Sequence, residues 1–337
     1  MLSLVIPIYN NEDNLPRLFR ELEQFAERLG DRLEIVFVVD GAPDNSLQIL
    51  AARLPGWRLR TQLVELSRNF GSFAAIAAGL RAAAGDCIAV IAADLQEPPE
   101  LVLEFHRLLR SDEADVVFGC RTGRADPWPS RLLSVAFWSV YRRLVTREMP
   151  KGGIDVFGCT RQVRDRLLEL HEVHTNLVAL VLWLGFRRAF VPYERRPRVE
   201  GRSGWTAAGK LRYALDSVFS FTDLPIRALL ILGALGTASA LVASATVFVA
   251  WWMGAVPVLG YTPLMLVISF FGGLTALGLG IVGQYAWLAL QNARNRPAYV
   301  VKTARTFEGA PDRQPDAAAA GRGALAVHAR TADRNSS

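Results

Sequence analysis

Short apolar runs alternate with longer amphipathic segments along the first third of the chain. An apolar run bounded by turn residues predicts a buried strand, and apolar positions three or four residues apart predict a helix. The predicted strands are "SLVIPI", "LEIVFVV", "TQLVEL", "CIAVIA" and "ADVVFGC", and segments such as "NLPRLFRELEQFAERL" and "ELVLEFHRLLR" are the predicted helices between them. This alternation predicts an α/β fold with a mostly parallel sheet, right-handed crossovers and helices on both faces.

Two later segments are far longer and contain no charged side chain, Ala228 to Met253 and Leu264 to Leu290. Because about 20 apolar residues span a bilayer, we predict two transmembrane helices. Basic residues flank them, with Arg227 before the first and Arg294 after the second, whereas the connecting loop 254–263 is uncharged. The positive-inside rule therefore places both termini and the preceding domain in the cytoplasm, in a multi-pass protein of the cytoplasmic membrane.

These segments divide the chain into four predicted parts. They are a soluble domain (residues 1–204), a juxtamembrane amphipathic helix (205–225), a two-helix transmembrane domain (226–297) and a disordered cytoplasmic tail (298–337). We expect disorder in the tail because it is rich in Ala, Arg, Asp and Gly without an apolar period. A further amphipathic helix is predicted at Ser130 to Val145, either in the headgroup plane or packed against the sheet.

The net charge of +6 is compatible with two kinds of anionic partner. Lys and Arg cluster before and after the apolar segments, which favours a membrane surface over a nucleic acid. The three cysteines lie far apart without metal-ligand spacing, so we expect them to pack in a core under reducing conditions. His171 and His174 could share a helix face, but a metal pair is not favoured because no carboxylate lies at metal-ligand spacing.

Polar residues follow all five predicted strands. They are Pro7, Tyr9 and Asn10 after the first, Asp40 and Gly41 after the second, Arg68 and Asn69 after the third, Asp94 and Gln96 after the fourth, and Arg121 after the fifth. The carboxyl ends of parallel strands share one edge of the sheet, where open α/β sheets bind ligands. Turn chemistry explains any one of these positions, but five in succession favour a ligand site.

The same strand ends exclude two nucleotide-binding classes. No GxGxxG follows the first strand and no GxxxxGK[ST] occurs anywhere, which argues against dinucleotide oxidoreductases and P-loop NTPases. Asp94, in "CIAVIAADLQEPPE", instead suits Mg²⁺ or Mn²⁺, which takes one or two carboxylates together with substrate phosphates. Gln96 would point the same way in an extended chain. Asp40 is a candidate acceptor for a nucleobase, and Arg68 and Arg121 are candidates for neutralising phosphates.

Four stretches, "VIPIYNNEDNL", "VVDGAPDNS", "LSRNFGSFAAIAAGL" and "AADLQEPPELV", resemble the family-2 glycosyltransferases of the GT-A fold. With the two C-terminal spans, the chain resembles the polyisoprenyl-phosphate glycosyltransferases, such as bactoprenol glucosyltransferases and dolichol-phosphate mannose synthases. The resemblance covers roughly Leu2 to Pro297. It implies an inverting, metal-dependent transfer of a hexose from a nucleotide diphosphosugar, with UDP-glucose as the first candidate, to an undecaprenyl-type phosphate at the cytoplasmic membrane face.

The resemblance also implies roles for individual residues. Asp94 and Gln96 would hold Mg²⁺ or Mn²⁺, and Asp155 would orient the acceptor region without taking a proton. The remaining roles divide by substrate: Pro7, Tyr9, Asn10, Glu12, Asp40, Gly41, Arg68, Asn69 and Asp94 for the nucleotide sugar, and Arg121, Arg131, Arg198, Arg202 and Ser203 for the lipid phosphate.

Three departures from the family pattern bear on these roles. The usual Asp-Asp-Gly-Ser becomes Val39 to Ala42, which lacks one carboxylate and one hydroxyl. The usual Tyr-Asn-Glu-Glu has Asn11 at its third position. After Ser203 the usual basic residue is Gly204, so Arg202 or Lys210 would have to supply that charge.

Other functions remain open from the sequence alone. A GDP-mannose-dependent mannose synthase is the alternative within the family. A transporter or flippase is disfavoured because two short-looped spans without an ionisable group leave little room for a pathway. A non-catalytic, membrane-tethered sugar-nucleotide-binding protein would not need the metal carboxylate Asp94. The expected partners are a nucleotide diphosphosugar, a polyisoprenyl phosphate and a lipid bilayer, with a homo-oligomer left open and no nucleic acid.

Overall fold

The computed structural model describes residues 1–30, 32–122, 150, 154–170, 177–196, 224–253, 261–294 and 296–309. The strands within these residues are β1 (Leu2–Ile8), β2 (Leu33–Val39), β3 (Arg60–Leu66), β4 (Cys87–Val90), β5 (Val116–Arg121), β6 (Ile154–Thr160), β7 (Arg188–Tyr193) and β8 (Val301–Phe307). They form one sheet in the order β7-β5-β6-β4-β1-β2-β3-β8. The five predicted strands are confirmed as β1 to β5, whereas β6, β7 and β8 had no counterpart in the sequence-based prediction.

The sheet is mixed: β1 to β5 and β7 run in one direction, as expected for a mostly parallel sheet, whereas β6 and β8 run in the opposite one. Parallel pairs join β1 to β2, β1 to β4, β2 to β3 and β5 to β7, but β6 runs antiparallel to both β4 and β5, and β8 runs antiparallel to β3. An apolar run marks a buried strand without giving its direction, because either direction satisfies the ladder. Two antiparallel pairings in succession restore the direction of β4 in β5, so β1 to β5 still end at one rim.

Helices cover both faces of the sheet, as predicted. They are α1 (Leu15–Leu29), α2 (Ser46–Arg53), α3 (Ser72–Ala82), α4 (Pro99–Arg110), α5 (Arg161–Glu169) and α6 (Leu177–Trp183), with a short 3-10 helix at Leu54–Gly56. Strand alternation sends Leu4 and Ile6 of β1 into one apolar core and Val5 into the other. The first core includes residues of α1, α2 and α4, and the second those of α3, α5 and α6.

The segment directly after the apolar helices is an ordered strand, although we predicted a disordered tail. β8 pairs with β3 from Thr61 opposite Phe307 to Leu66 opposite Val301. The prediction was wrong here because the ladder hydrogen bonds come from a strand far away in the sequence, and a local apolar period is not needed to form them. Residues 310–337 of the predicted tail lie outside the described residues.

Two long helices precede β8, namely α7 (Leu224–Trp252) and α8 (Tyr261–Ala293). They approach each other at glycines: a Cβ on Gly236 would lie 3.0 Å from the Phe271 ring, and one on Gly278 would lie 3.2 Å from Leu229. Among the described residues, one segment, Phe270–Leu290 of α8, is long and apolar enough to cross a membrane. The span predicted at Ala228 to Met253 is not confirmed by this criterion within the described residues, and the loop residues 254–260 lie outside the described part.

Candidate active site

The loops after β1 and β2 are tied together at the rim where these strands end. Glu12 accepts hydrogen bonds through Oε2 from the backbone N–H of Asn45 at 2.9 Å and from its side-chain amide at 3.0 Å. In return, the backbone N–H of Glu12 donates to Asp44 Oδ2 at 2.9 Å, and Ser46 donates to the same oxygen at 2.8 Å. The Glu12 carboxylate therefore joins two rim loops, and its predicted contact with a nucleotide sugar stays a prediction.

Asp40 holds the loop that follows β3, which we call the donor loop (Ser67–Gly71). Its two carboxylate oxygens accept the backbone N–H groups of Phe70 at 2.8 Å and Gly71 at 2.9 Å. Only 3% of Asp40 is exposed. Burial raises the pKa of Asp40 above its ordinary value, while the two N–H donors and the charge of Arg68 oppose the rise. Asp40 therefore supports the donor loop, and a contact from it to a nucleobase stays a prediction.

The donor loop presents polar side chains to solvent at the same rim. Arg68 and Asn69 are exposed, and the Arg68 guanidinium lies 4.1 Å from the centre of the Phe70 ring. Gly41 fixes how close the loop approaches, because its φ is +57° and a Cβ there would overlap the backbone of Arg68. Tyr9, after β1, is 48% exposed. This part of the rim offers a ring and a cation to a ligand.

The turn after β4 carries Asp94 and differs from the extended chain we assumed. Ala93 and Asp94 form a turn, and Leu95 adopts a left-handed φ of 54°. The backbone N–H of Gln96 donates to Asp94 Oδ1 at 3.3 Å. The strand-type alternation that placed Gln96 beside Asp94 does not apply here, because a left-handed residue lies between them.

Gln96 joins this turn to the segment that follows β7. The backbone N–H of Arg196 donates to Gln96 O at 2.9 Å, and Gln96 Nε2 donates to Arg196 O at 3.2 Å. Arg196 also contacts Glu100, with 3.5 Å between its guanidinium and the carboxylate. Arg196 is the last described residue before the basic loop that contains Arg198.

The donor set of the turn fits a hard cation. Nε2 of Gln96 is engaged with Arg196, which leaves Oε1 as the ligand atom of that amide, and Asp94 supplies a carboxylate. Oxygen donors of this kind suit Mg²⁺ and Mn²⁺, which accept few protein ligands when substrate phosphates supply the rest. Within the described residues, no cluster of three or more His, Cys, Asp or Glu side chains is placed to hold a metal.

The structure describes only some of the residues that were predicted to bind or orient the lipid phosphate. Arg121 ends β5 opposite Tyr193 of β7, and the start of β6, where Asp155 lies, pairs with the end of β5 at Cys120 and Ile154. The side chain of Asp155 is not among those described. The same holds for other predicted residues and segments: Arg131, Arg198, Arg202, Ser203, Lys210, His171, His174, the helix at 130–145 and residues 205–223.

Sequence reasoning missed several groups that shape the site. Glu97 is 4% exposed and accepts the backbone N–H of Ala92 at 3.4 Å, closing the turn after β4. The N–H groups of Phe70 and Gly71 carry no sequence signal, since every non-proline residue has one. Cys87 and Cys159 are buried and Cys120 is half-buried, in agreement with the expected core packing, and burial raises the pKa of Cys159 to about 12.

The rim of this α/β sheet thus combines a buried carboxylate that holds a loop, an exposed arginine and a turn with oxygen donors, at the edge where open α/β sheets bind ligands. The family model described as "Glycosyl transferase family 2" matches residues 3–171, and the chain belongs to that family. It is a glycosyltransferase, and the mixed sheet with helices on both faces agrees with the expected GT-A-like fold.

Two relatives are similar over nearly the whole chain. The undecaprenyl-phosphate 4-deoxy-4-formamido-L-arabinose transferase of Pseudomonas paraeruginosa is 32% identical over 94% of this chain and 93% of its own length. The prophage-derived bactoprenol glucosyl transferase of Shigella flexneri is 28% identical, over 89% of this chain and 97% of its own. Their names share a polyprenol carrier and differ in the sugar.

A solved structure resembles the chain more distantly. The glucosyl-3-phosphoglycerate synthase of Mycobacterium tuberculosis, in complex with Mn²⁺, UDP and glucosyl-3-phosphoglycerate, is 19% identical over 66% of this chain and 80% of its own, with a TM-score of 0.47. At this level of similarity the likeness does not bear on the ligands of the present chain.

Proposed function

We propose that this glycosyltransferase moves a hexose, with UDP-glucose as the first candidate donor, to a polyisoprenyl phosphate of undecaprenyl type. The pair of hydrogen bonds between Gln96 and Arg196 carries the proposal. It brings the turn with Asp94 against the start of the basic loop, and a transferase needs its two substrates side by side. The acceptor class is supported by the polyprenol carriers in the names of both relatives, and glucose by one of them.

The donor site in this proposal lies between the ends of β1, β2 and β3. Arg68 and Asn69 of the donor loop are exposed and suited to a diphosphate, since a guanidinium pairs with phosphate oxygens in a bidentate manner. Tyr9 offers an exposed ring for the base. Asp40 acts by keeping the donor loop in place.

Asp94 and Gln96 would hold Mg²⁺ or Mn²⁺ beside that diphosphate. Bound there, the cation would offset the negative charge that develops on the leaving nucleoside diphosphate. The protein would contribute the ligand atoms. The Asp94 carboxylate would bind the cation, and Arg196 keeps the Gln96 amide oriented through the hydrogen bond at Nε2.

The chemistry is an inverting displacement at the anomeric carbon. An oxygen of the lipid phosphate forms the new bond to that carbon, while the bond to the nucleoside diphosphate breaks and its electrons leave with the diphosphate. A phosphate monoester has a second pKa of about 6, so it is mostly dianionic at pH 7 and needs no side-chain base. Arg198, Arg202, Ser203, Arg131 and Arg121 are proposed to bind the lipid phosphate, and Asp155 to orient the site.

We place the reaction at the cytoplasmic face of a membrane crossed by both α7 and α8. β8 follows α8 and pairs with β3 of the sheet domain, so residues on either side of the two helices lie on the same side of a bilayer. An even number of crossings is therefore required between β3 and β8. If Phe270–Leu290 crosses once, α7 supplies the second crossing, in agreement with the uncharged connecting loop.

A transfer assay tests the proposal directly. Purified full-length protein is incubated with undecaprenyl phosphate, Mg²⁺ or Mn²⁺, and radiolabelled UDP-glucose, GDP-mannose or another nucleotide sugar, and label in the organic phase is counted. We expect label from UDP-glucose, and Asp94→Asn should remove it. Label from GDP-mannose alone would make the protein a mannose synthase. Nucleotide binding without any transfer would make it a non-catalytic binding protein.

A further inference from the structure

The strand β8 extends the sheet beside the donor site. It runs antiparallel to β3 over its whole length, with an irregularity between Glu65 and Leu66. Without β8, the strand β3 would be an edge strand with unpaired N–H and C=O groups. Because the donor loop begins directly after β3, the pairing of β3 with β8 affects how well that loop is held in position.

Side chains fasten β8 at both ends of the ladder. Near the rim, Lys302 Nζ lies 2.6 Å from Glu65 Oε1, and Thr303 Oγ1 donates to Glu65 Oε2 at 3.0 Å. The hydrogen bond from Lys302 lowers the pKa of the Glu65 carboxyl. At the far end, Arg60 Nη1 lies 3.4 Å from Glu308. These contacts fix which residues of β8 face β3.

The two residues before β8 contact the donor loop and the helix that follows it. The backbone N–H of Ser67, its first residue, donates to Val300 O at 2.9 Å. Arg81, on the helix α3 that follows the loop, donates from Nε to the hydroxyl of Tyr299 at 3.1 Å, and Tyr299 packs against the core on that face. Adjacent residues of the C-terminal segment therefore contact the start of the donor loop and the helix that follows it.

We propose that the segment Tyr299–Phe307 is a positioning element of the nucleotide site. It fixes the donor loop from one side while Asp40 fixes it from the other, through the N–H groups of Phe70 and Gly71. The inference rests on the proposed donor site and adds to it that the segment leaving the apolar helix α8 helps to determine affinity for the nucleoside diphosphate.

Two truncations of the full chain provide the first test. Deletion of residues 298–337 removes the segment, whereas deletion of residues 310–337 removes none of the contacts described above. Binding of UDP and of GDP, each with Mn²⁺, is measured by calorimetry in detergent. We expect the shorter deletion to bind as the wild type does, and the longer one to bind on the order of tenfold more weakly.

Charge reversal supplies a second test if the longer deletion fails to fold. Lys302→Glu places two carboxylates against each other and should weaken nucleotide binding by about threefold or more. The double variant Glu65→Lys with Lys302→Glu restores opposite charges and should recover most of the affinity. Tight binding by a folded 298–337 deletion, or by Lys302→Glu, would overturn the inference and leave the transferase proposal intact. Failure of the wild type to bind either nucleotide would overturn both.

Discussion

At the scale of single residues, Leu95 arranges the turn after β4. It is 6% exposed and packs in the core, yet its φ is 54°, a conformation that costs a non-glycine residue about 1–3 kcal/mol. Burial of the leucine side chain offsets this strain. The left-handed residue interrupts the strand-type alternation between Asp94 and Gln96, and Gln96 Nε2 donates to the carbonyl oxygen of Arg196.

Asp94→Asn tests the metal role at this scale. A neutral amide is a poorer ligand for a hard cation, so we expect kcat to fall by about 100-fold or more with the fold retained. Transfer is measured with added Mg²⁺ or Mn²⁺ and with EDTA. Asp86→Asn, at the opposite end of β4, is the matched control and should keep its activity. Normal turnover of Asp94→Asn, or of the wild type in EDTA, would contradict the assignment.

Gln96→Glu separates metal binding from contact with the acceptor loop. Glutamate keeps an oxygen for the cation but cannot donate to Arg196 O, and it places a charge against that carbonyl. We expect the KM for lipid phosphate to rise by about tenfold, with a smaller change in the KM for the nucleotide sugar. Gln24→Glu, on the exposed face of α1, controls for the added charge. Equal changes in both KM values would mean that Gln96 does not position the acceptor side.

At the scale of elements, α3 packs close to the sheet at Gly79, in a helix rich in small residues. A Cβ at Gly79 would overlap Val5 Cγ1 of β1 and lie 3.0 Å from Val38 Cγ2 of β2. The helix thus rests on the two strands whose ends carry the proposed donor site. The same helix begins directly after the donor loop, and the backbone N–H of Ala75 donates to Gly71 O at 3.1 Å.

Gly79→Ala should therefore destabilise the protein. Overpacking of this kind costs about 1–3 kcal/mol, which exceeds the gain of about 1 kcal/mol in helix propensity when two valines cannot move away. Thermal unfolding of the detergent-solubilised protein should show a lower midpoint. Gly56→Ala is the matched control, because no atom lies within 4 Å of the position that its new methyl group would take. A midpoint equal to that of the wild type would show that the sheet accommodates the methyl group.

At the scale of the whole molecule, α7 and α8 expose apolar side chains instead of burying them. Leu235 of α7 is 63% exposed, and Phe270 and Leu279 of α8 are 65% and 68% exposed. Contiguous apolar surface of this kind indicates a membrane or protein partner. The ladder between β3 and β8 then constrains the topology, because it holds the chain after α8 to the domain that precedes α7.

Reporter fusions test this topology. We predict that a reporter fused after Ser337 is active in the cytoplasm and that one inserted within loop 254–263 is active outside, for the reasons of charge asymmetry and sheet pairing given above. The paired fusions control for each other, since each reporter type should be active at one position and silent at the other. A C-terminal reporter active only outside the membrane would contradict both the predicted topology and the pairing of β8 with β3.

The sequence by itself determined the elements whose signal is local. Strands β1 to β5 and the helices between them follow from apolar period, because burial on one or both faces imposes that period on contiguous residues. Asp94 at the end of β4, Arg68 in the donor loop and the long uncharged segments were also visible, since each depends on residue type and position along the chain. The motif series pointed to the family for the same reason.

The tertiary structure decided everything that depends on which segments meet. Strand direction in β6 and β8 is set by partners distant in the sequence, and β8 is ordered only because β3 supplies its hydrogen bonds. The engagement of Asp40 by Phe70 and Gly71 uses backbone N–H groups that every sequence contains. The orientation of Gln96 depends on the left-handed backbone of Leu95, and a leucine in the sequence does not predict that conformation. The candidate reactive groups can therefore be identified from residue type and position in the sequence. Their contacts depend on packing between segments that are distant in the sequence.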